Sequence, residues 1–222
     1  MRAFLPYFPW LFGLLVLVDL YVGTYGHEAL RWFSKPLILI SLLLFFVTQG
    51  KQLPKRLYWG FALGLLLSLL GDILLLKDAE PGYFIGGLIA FLLAHVAYTY
   101  VFSLHWNKKP DTLFWMGIIV LLGYGSLLFS YLQPHLGALQ VPVVVYILGI
   151  LAMATTALNR KKEVVPQSFQ WVLAGALFFI ASDSILAINK FMAPVAYSHI
   201  LIMGTYAAAQ FCLVKGMLAV TK

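Results

Sequence analysis

Apolar residues occur along this sequence in long blocks, separated by short polar stretches. Eight blocks approach or exceed the about 20 residues that a helix needs to cross a bilayer. They cover residues 8–25, 32–49, 57–76, 82–104, 113–132, 139–158, 169–188 and 197–219. The second block is the least regular, because Lys35 and Pro36 interrupt its start. The pattern predicts an all-α, polytopic bundle of eight transmembrane helices.

The polar connections between the blocks are short, about 5–10 residues each. They leave no room for a separate soluble domain, so we expect residues 1–222 to form a single transmembrane domain. Composition agrees, because 62% of the residues are hydrophobic and only 10% are charged, whereas a soluble domain has about 25% charged residues. We expect the first block to be a transmembrane span and not a cleaved signal peptide. Asp19 and two tyrosines stand where a signal peptide would have the small residues of its cleavage site.

The basic residues are unevenly distributed between the two sides of the predicted bundle. One side, with both chain ends, has Arg2, Lys51, Lys55, Arg56, Lys108, Lys109, Arg160, Lys161, Lys162, Lys215 and Lys222. The other side has Arg31, Lys35, Lys77 and Lys190. The positive-inside rule predicts cytoplasmic N- and C-termini, and the short loops favour a bacterial inner (plasma) membrane. This distribution explains the net charge of +7 without a nucleic-acid partner, and we expect the loop cations, including Arg160, to be solvated.

Two segments of the chain resemble each other, SLLGDILLL around Asp72 and FIASDSILA around Asp183. The displacement that superposes the two aspartates equals half of the chain length, and we call it the half-chain shift. The same shift relates His95 to Tyr206. Because four predicted spans separate the copies, they would share one orientation, as in a parallel 4+4 internal repeat with halves of about 1–111 and 112–222. Apolar helices also resemble each other by chance, so both interpretations stay open.

Ionisable residues inside the predicted spans are the strongest indication of function, because each costs about 2.5–3.5 kcal/mol at a helix centre. The candidate site residues are these groups and the polar residues near them: Asp19, Lys35, Ser68, Asp72, His95, Tyr98, Asp183, Tyr206 and Gln210. Most of them fall in the half of the predicted bundle that faces outward. We therefore expect one polar cavity that opens toward the outer leaflet.

Each candidate also has a purely structural interpretation. Asp72 and Asp183 can be capped or paired within the bundle without a catalytic role, and His95 can be an interhelical hydrogen-bond donor. Lys35 can extend its amine to the lipid headgroups, and Asp19 can serve packing alone. The sequence has no nucleotide-binding, serine-hydrolase or zinc-hydrolase motif, and its five histidines lack paired ligand spacing. We therefore expect neither a metal nor another cofactor.

Several short motifs extend over most of the chain: Ser34-Lys35-Pro36-Leu37, Ser68-Leu69-Leu70-Gly71-Asp72, Gly87 to Phe91 with His95 and Tyr98, Ser182-Asp183, and Tyr206 with Gln210. In this order and spacing they resemble the lysoplasmalogenase family, which comprises bacterial YhhN-type membrane proteins and their animal relatives. The resemblance implies an alkenyl ether hydrolase that cleaves the vinyl ether of lysoplasmalogens. The implied products are a fatty aldehyde and glycerophosphoethanolamine or glycerophosphocholine.

The candidate residues suit this chemistry. A vinyl ether is hydrolysed by protonation of its β-carbon, which gives an oxocarbenium ion that water captures. Two carboxyls in a low-dielectric cavity can divide the acid and base roles, so Asp72 and Asp183 are the predicted catalytic pair, with either as the acid. Lys35 would bind the lipid phosphate or hold one aspartate ionised. The residues predicted to support catalysis or substrate binding are Asp19, Ser68, His95, Tyr98, Tyr206 and Gln210.

Two other functions fit parts of the sequence. A transporter or ion-coupled carrier would also require intramembrane acids and a parallel repeat, although the chain is short for most carriers and has few broken helices. A lipid-binding membrane protein without turnover would retain the aspartates for structural reasons. In the enzymatic interpretation the partner is a lysophospholipid taken from the bilayer.

Overall fold

The computed structural model describes residues 6–26 and 28–220; Arg2 and Lys222 of the predicted charge pattern lie outside the described residues. Within this part the chain forms eight α-helices and no strand. They are α1 (Phe8–Thr24), α2 (Glu28–Gln49), α3 (Lys55–Leu74), α4 (Pro81–Ser103), α5 (Thr112–Leu136), α6 (Gln140–Asn159), α7 (Pro166–Phe191) and α8 (Ser198–Leu218).

Most of the helices are long and apolar enough to cross a membrane. Six helical stretches among the described residues meet the length and hydropathy of a span, and one of them, Thr112–Lys162, contains both α5 and α6. The shorter apolar helix α1 has 17 residues. The prediction of an all-α integral membrane protein is therefore confirmed.

Helix α2 differs from its predicted bounds. It begins at Glu28, before the predicted start at position 32, and Pro36 lies inside it. Proline removes one backbone hydrogen bond, to the carbonyl one turn earlier. Membrane bundles tolerate this loss, because neighbouring side chains can pair with the released carbonyl. The earlier start places Arg31 and Lys35 on successive turns of one helix.

Local sequence sets several other helix ends. Pro81 and Pro166 stand at the first positions of α4 and α7, where a helix has no N–H bond to lose. Asp111 caps α5 by accepting a hydrogen bond from the backbone N–H of Phe114 at 3.2 Å. That N–H, with two nearby lysines, holds the pKa of Asp111 below its usual value. At the other end of α5, Gly137 turns the chain into α6 with φ of +50°.

The most extensively packed pairs are α3 with α4 and α7 with α8. Glycines allow this close approach. A Cβ at Gly64 would overlap the Tyr98 ring, and a Cβ at Gly175 would lie 2.9 Å from the backbone oxygen of Ala209. Close contact between helix backbones is typical of membrane bundles, where association depends on van der Waals packing.

Arg160 is not solvated as its position after α6 predicts. The side chain is fully buried, lies 5.4 Å from the centre of the Phe102 ring and donates a hydrogen bond to Ser168 at 3.2 Å. The prediction was wrong because Phe102 and Ser168 come from other helices, α4 and α7, which close over the end of α6. Lys161 and Lys162 remain exposed, within 3.7 and 3.5 Å of Asp111.

Candidate functional site

A polar cavity lies at one end of the bundle, where α2 and α8 begin and α3 and α7 end. It encloses about 800 Å³ of empty space, including its open mouth. Four of the predicted site residues line it: Lys35, Asp72, Asp183 and Tyr206. Arg31 and His199 lie in its wall near the helix starts. The structure thus brings both intramembrane aspartates of the predicted catalytic pair to one cavity.

Asp72 is almost completely buried and has a partner at each carboxylate oxygen. The hydroxyl of Tyr206 donates a hydrogen bond of 2.8 Å to Oδ2, and Nζ of Lys35 lies 3.7 Å from Oδ1. Lys35 is itself 6% exposed. A buried charge is strongly destabilising when it is unpaired, so this ion pair explains how a lysine and an aspartate both lie among apolar helices.

Asp183 has a different environment. The hydroxyl of Tyr146 donates a hydrogen bond of 2.6 Å to Oδ2, and Nε2 of His95 lies 3.8 Å from the same oxygen. The His95 ring packs edge-on against Tyr146 and Phe179, with ring centres 5.3 and 4.8 Å apart. Among the described residues, no lysine or arginine nitrogen lies within 4.0 Å of this carboxyl. Asp72 therefore has a cationic partner, whereas Asp183 has a hydroxyl and an imidazole.

The contacts of the two aspartates correspond to each other under the half-chain shift. Tyr206 contacts Asp72, and the equivalent pair, His95 and Asp183, is also in contact. Lys35 contacts Asp72, and the shift carries Lys35 onto Tyr146, the partner of Asp183. Each aspartate thus has one partner from its own half of the chain and one from the other half.

The same correspondence extends to the packing of the helix pairs. Gly64 faces Tyr98, and the shift carries this pair onto Gly175 and Ala209, which also face each other. Gly71 faces the Phe91 ring, and the equivalent Ser182 donates a hydrogen bond of 3.0 Å to the backbone oxygen of Ile202. Related positions therefore meet across the α3–α4 and the α7–α8 interfaces.

A second cavity, almost entirely apolar, lies between α4, α5, α6 and α7. Its empty space is about 650 Å³ when its open side is included. Its lining includes Phe84, Leu132, Val143 and Ile147. Asp183 and Leu186 line both cavities. The two cavities therefore adjoin at Asp183, while Asp72 faces only the polar one.

Other predicted site residues lie behind the cavity wall. The hydroxyl of Tyr98 donates a hydrogen bond of 2.9 Å to Oε1 of Gln210 and thereby joins α4 to α8. Ser68 is fully buried near this pair, and its hydroxyl has no hydrogen-bond partner among the described residues. None of these three, nor His95, lines the polar cavity. The Tyr98–Gln210 hydrogen bond thus joins the two helices that carry His95 and Tyr206, the residues next to the two aspartates.

Asp19 lies beside the polar cavity and not in its lining. It is fully buried and accepts a hydrogen bond of 2.6 Å from the Ser34 hydroxyl. Nε2 of His199 lies 3.2 Å from its backbone oxygen and 3.8 Å from Oδ2. Gly23 leaves the space for this imidazole, because any Cβ there would overlap the His199 ring. Asp19 thus ties α1 to α2 and α8.

Tyr146 and Arg31 line the cavities but are not among the site residues predicted from the sequence. Tyr146 does not stand out in the sequence, because a tyrosine in a membrane helix costs little free energy. The half-chain shift from Lys35 does identify it. Arg31 lies one helical turn before Lys35, and that spacing places both on one face. Among residues 6–26 and 28–220, no group of three or more His, Cys, Asp and Glu side chains has a geometry that could hold a metal ion.

Comparison with known proteins identifies a family and named relatives. The YhhN family model matches residues 30–217. Lysoplasmalogenase TMEM86A of Bos taurus is 36% identical over 68% of this chain and 61% of its own length. The lysoplasmalogenase of Mycobacterium tuberculosis is 33% identical over 68% of this chain and 58% of its own. Lysoplasmalogenase TMEM86B of Homo sapiens is 29% identical over 84% of this chain and 76% of its own length.

The chain spans only about three fifths of the length of the bovine and mycobacterial relatives that it matches. No solved structure is significantly similar to it.

Proposed function

This chain belongs to the YhhN family, and on that premise we propose that it is a membrane enzyme that cleaves the vinyl ether of lysoplasmalogens. Its products are a fatty aldehyde and glycerophosphoethanolamine or glycerophosphocholine. The observation that supports the proposal most is the presence of two aspartates within the bundle, the buried Asp72 and the partly buried Asp183, in one cavity of a membrane protein whose relatives are named lysoplasmalogenases.

The reaction consumes one water and requires one acid and one base. The acid carboxyl gives its proton to the β-carbon of the vinyl ether, and the double bond becomes an oxocarbenium ion. The second, ionised carboxylate stabilises this cation and takes a proton from the attacking water. The resulting hemiacetal breaks its bond to the glycerol oxygen, which leaves as a hydroxyl, and the aldehyde is released. The carboxyls return to their starting states by proton exchange.

The partners of the aspartates suit these roles. Lys35 and Tyr206 stabilise negative charge on Asp72, whereas the Tyr146 hydroxyl orients the carboxyl of Asp183 and the His95 imidazole lies beside it. Tyr98 and Gln210 join α4 to α8, from which His95 and Tyr206 project, and Ser68 is buried on α3 one turn before Asp72. Asp19 keeps α1 against the cavity wall. No step of this scheme requires a metal or an organic cofactor.

The membrane arrangement that we propose has eight spans and cytoplasmic termini, in a bacterial plasma membrane. The 51-residue stretch Thr112–Lys162 is about twice as long as one span requires, and it turns at Gly137 between helices of 25 and 20 residues. Helix α1, with 17 residues, is at the short end of the range for a spanning helix. The lysines and arginines then lie mainly on the cytoplasmic side.

We also propose that the chain contains a parallel 4+4 repeat. The half-chain shift carries α2 (28–49) onto 139–160, and α6 occupies 140–159. It carries the start of α3 at Lys55 onto the start of α7 at Pro166. The matching contacts around Asp72 and Asp183 support the repeat independently of sequence identity. In this arrangement the site lies between the halves, and the exchange of Lys35 for Tyr146 makes it asymmetric.

Purified protein in detergent tests the proposed activity. We expect it to release aldehyde from an alkenyl lysophospholipid and to leave the ester-linked lysophospholipid of the same chain length intact. Cleavage of the ester substrate alone would contradict the proposed vinyl ether specificity. The protein would then still be a lipid hydrolase, but of another bond.

An ion-coupled transporter is the second candidate, because buried carboxylates between repeated halves also occur in such proteins. Uptake of a solute by proteoliposomes, in the absence of any lipid cleavage, would favour it. Lipid binding without turnover or transport would favour a non-catalytic lipid-binding protein.

A further inference from the structure

We infer that the lipid lies across both cavities, with its phosphate at Arg31 and its hydrocarbon chain in the apolar cavity, so that Asp183 is the proton donor. The inference rests on the proposed function for its chemistry, but the placement of the lipid can be tested without turnover. Three features support it: the charge at the mouth of the polar cavity, the lining of the apolar cavity, and the position of Asp183 between them.

The mouth of the polar cavity has an arginine available for an anion. Arg31 lines the cavity one turn before Lys35, and its buried Nε has no hydrogen-bond partner among the described residues. The carboxylates of the cavity are engaged elsewhere: Asp72 with Lys35, Asp78 with Lys190 at 3.2 Å, and Asp183 with Tyr146. A guanidinium matches the geometry of a phosphate and can bind two of its oxygens at once.

The polar rim beside Arg31 can hold the rest of a headgroup. Ser198 and Asn189 line the cavity at the start of α8 and near the end of α7. Asn189 Oδ1 accepts a hydrogen bond of 2.9 Å from the backbone N–H of Val195, which fixes the amide and leaves its NH₂ group for a ligand. These residues lie at helix ends, where a span meets the headgroup layer. A lysophospholipid phosphate would therefore reach them without leaving the interface.

The apolar cavity provides the matching site for the hydrocarbon chain. Its lining is formed by aliphatic and aromatic side chains apart from Tyr124, Tyr146, Asp183 and Ser184. The hydroxyls of Tyr124 and Ser184 bond to each other at 2.7 Å, and Tyr146 bonds to Asp183. Its polar groups are therefore engaged, and an alkyl chain can occupy it without displacing a hydrogen bond.

This placement distinguishes the two aspartates. In an alkenyl ether the β-carbon, which is protonated, lies on the chain side, and the α-carbon lies next to the ether oxygen. Asp183 lines both cavities and so faces the chain side, whereas Asp72 lines only the polar cavity. Asp183 therefore donates the proton, and Asp72, kept anionic by Lys35, stabilises the cation and receives the proton of water.

The phosphate site is tested by binding of two ligands that cannot be cleaved: a saturated alkyl-ether lysophosphoethanolamine and the alkylglycerol of the same chain length. Arg31→Met should weaken binding of the phospholipid about tenfold, equivalent to about 1.4 kcal/mol, and leave binding of the alkylglycerol unchanged. Arg56→Met, at an exposed position at the start of α3, is the matched control and should change neither. Equal effects of Arg31→Met on both ligands, or no effect, would overturn the phosphate site.

The chain site is tested by narrowing the apolar cavity. Val143 lines this cavity and is 6% exposed, whereas Val145 on the same helix is 46% exposed. Val143→Trp should weaken binding of a long-chain alkyl-ether lysophospholipid much more than that of a short-chain one, and Val145→Trp should affect neither. Unchanged chain-length dependence in Val143→Trp would overturn the placement. If the wild type binds as predicted but releases no aldehyde, the proposed function fails while the lipid site stands.

Discussion

The hydroxyl of Tyr146 donates a 2.6 Å hydrogen bond to the carboxylate of Asp183. In the other half of the chain the equivalent position is Lys35, which pairs with Asp72. The two aspartates therefore have partners of different charge. Such a difference allows one carboxyl to hold a proton while the other stays ionised.

Replacing Tyr146 with Phe should slow aldehyde release roughly tenfold without unfolding the protein. The hydrogen bond that orients Asp183 contributes on the order of 1 kcal/mol, and the ring remains to fill its space. Steady-state rates and a thermal unfolding scan in detergent would measure both effects. Tyr131→Phe, on an exposed ring of α5, is the control. Wild-type activity in Tyr146→Phe would argue against a role for this contact.

Lys35→Met should destabilise the protein by about 3–5 kcal/mol, because it leaves Asp72 as an unpaired buried charge. Adding Asp72→Asn removes that charge, so the double variant should regain much of the lost thermal stability while remaining inactive. Lys55→Met, at an exposed position, should have neither effect. A double variant as unstable as Lys35→Met would show that the two side chains are not energetically coupled.

Dicyclohexylcarbodiimide, which reacts with protonated carboxyl groups in apolar surroundings, should modify Asp183 in preference to Asp72. Asp183 faces the apolar cavity and has no lysine or arginine nitrogen within 4.0 Å among the described residues, whereas Asp72 is paired with Lys35. Mass spectrometry of the labelled protein would locate the adduct, and a saturated alkyl-ether lysophospholipid should protect it. An adduct on Asp72 with Asp183 unmodified would reverse the acid and base roles.

Gly175→Ala should lower the free energy of unfolding by about 1–3 kcal/mol, because the new Cβ would press on the backbone oxygen of Ala209. Helix α7 bears Asp183, so activity should fall as well. Gly204→Ala is the matched control in α8, since a Cβ there has no atom within 4 Å. Equal melting temperatures for the two variants would contradict the close packing of α7 and α8.

Much of the helical framework could be predicted from hydrophobicity because the bilayer sets the length of each apolar block. The bounds of α3, α4 and α6 lie close to the predicted ones. Helix α2 begins at Glu28, four residues before the predicted start, because the helix continues into the more polar residues that precede the apolar block. The start of α7 at Pro166 and its end at Phe191 also extend beyond the apolar block.

The sequence could identify the aspartates but not their surroundings. Asp72 and Asp183 stand out because a carboxyl is costly in a membrane, whereas Tyr146 has no such cost and was missed. Tyr98 and Gln210 were predicted beside the substrate, but their hydrogen bond lies behind the cavity wall. Which polar side chains reach the cavity depends on how helices from the two halves rotate against each other, and a single sequence contains no direct record of that rotation.

The most direct test of the account compares aldehyde release from an alkenyl lysophospholipid by the wild type, Asp72→Asn and Asp183→Asn. If the two carboxyls perform the acid and base steps, each variant should lose at least about a thousandfold in rate, equivalent to about 4 kcal/mol of transition-state stabilisation. Each should still bind the saturated alkyl-ether lysophospholipid, which shows that it is folded. A variant that binds this ligand and hydrolyses the alkenyl lipid at the wild-type rate would contradict the account.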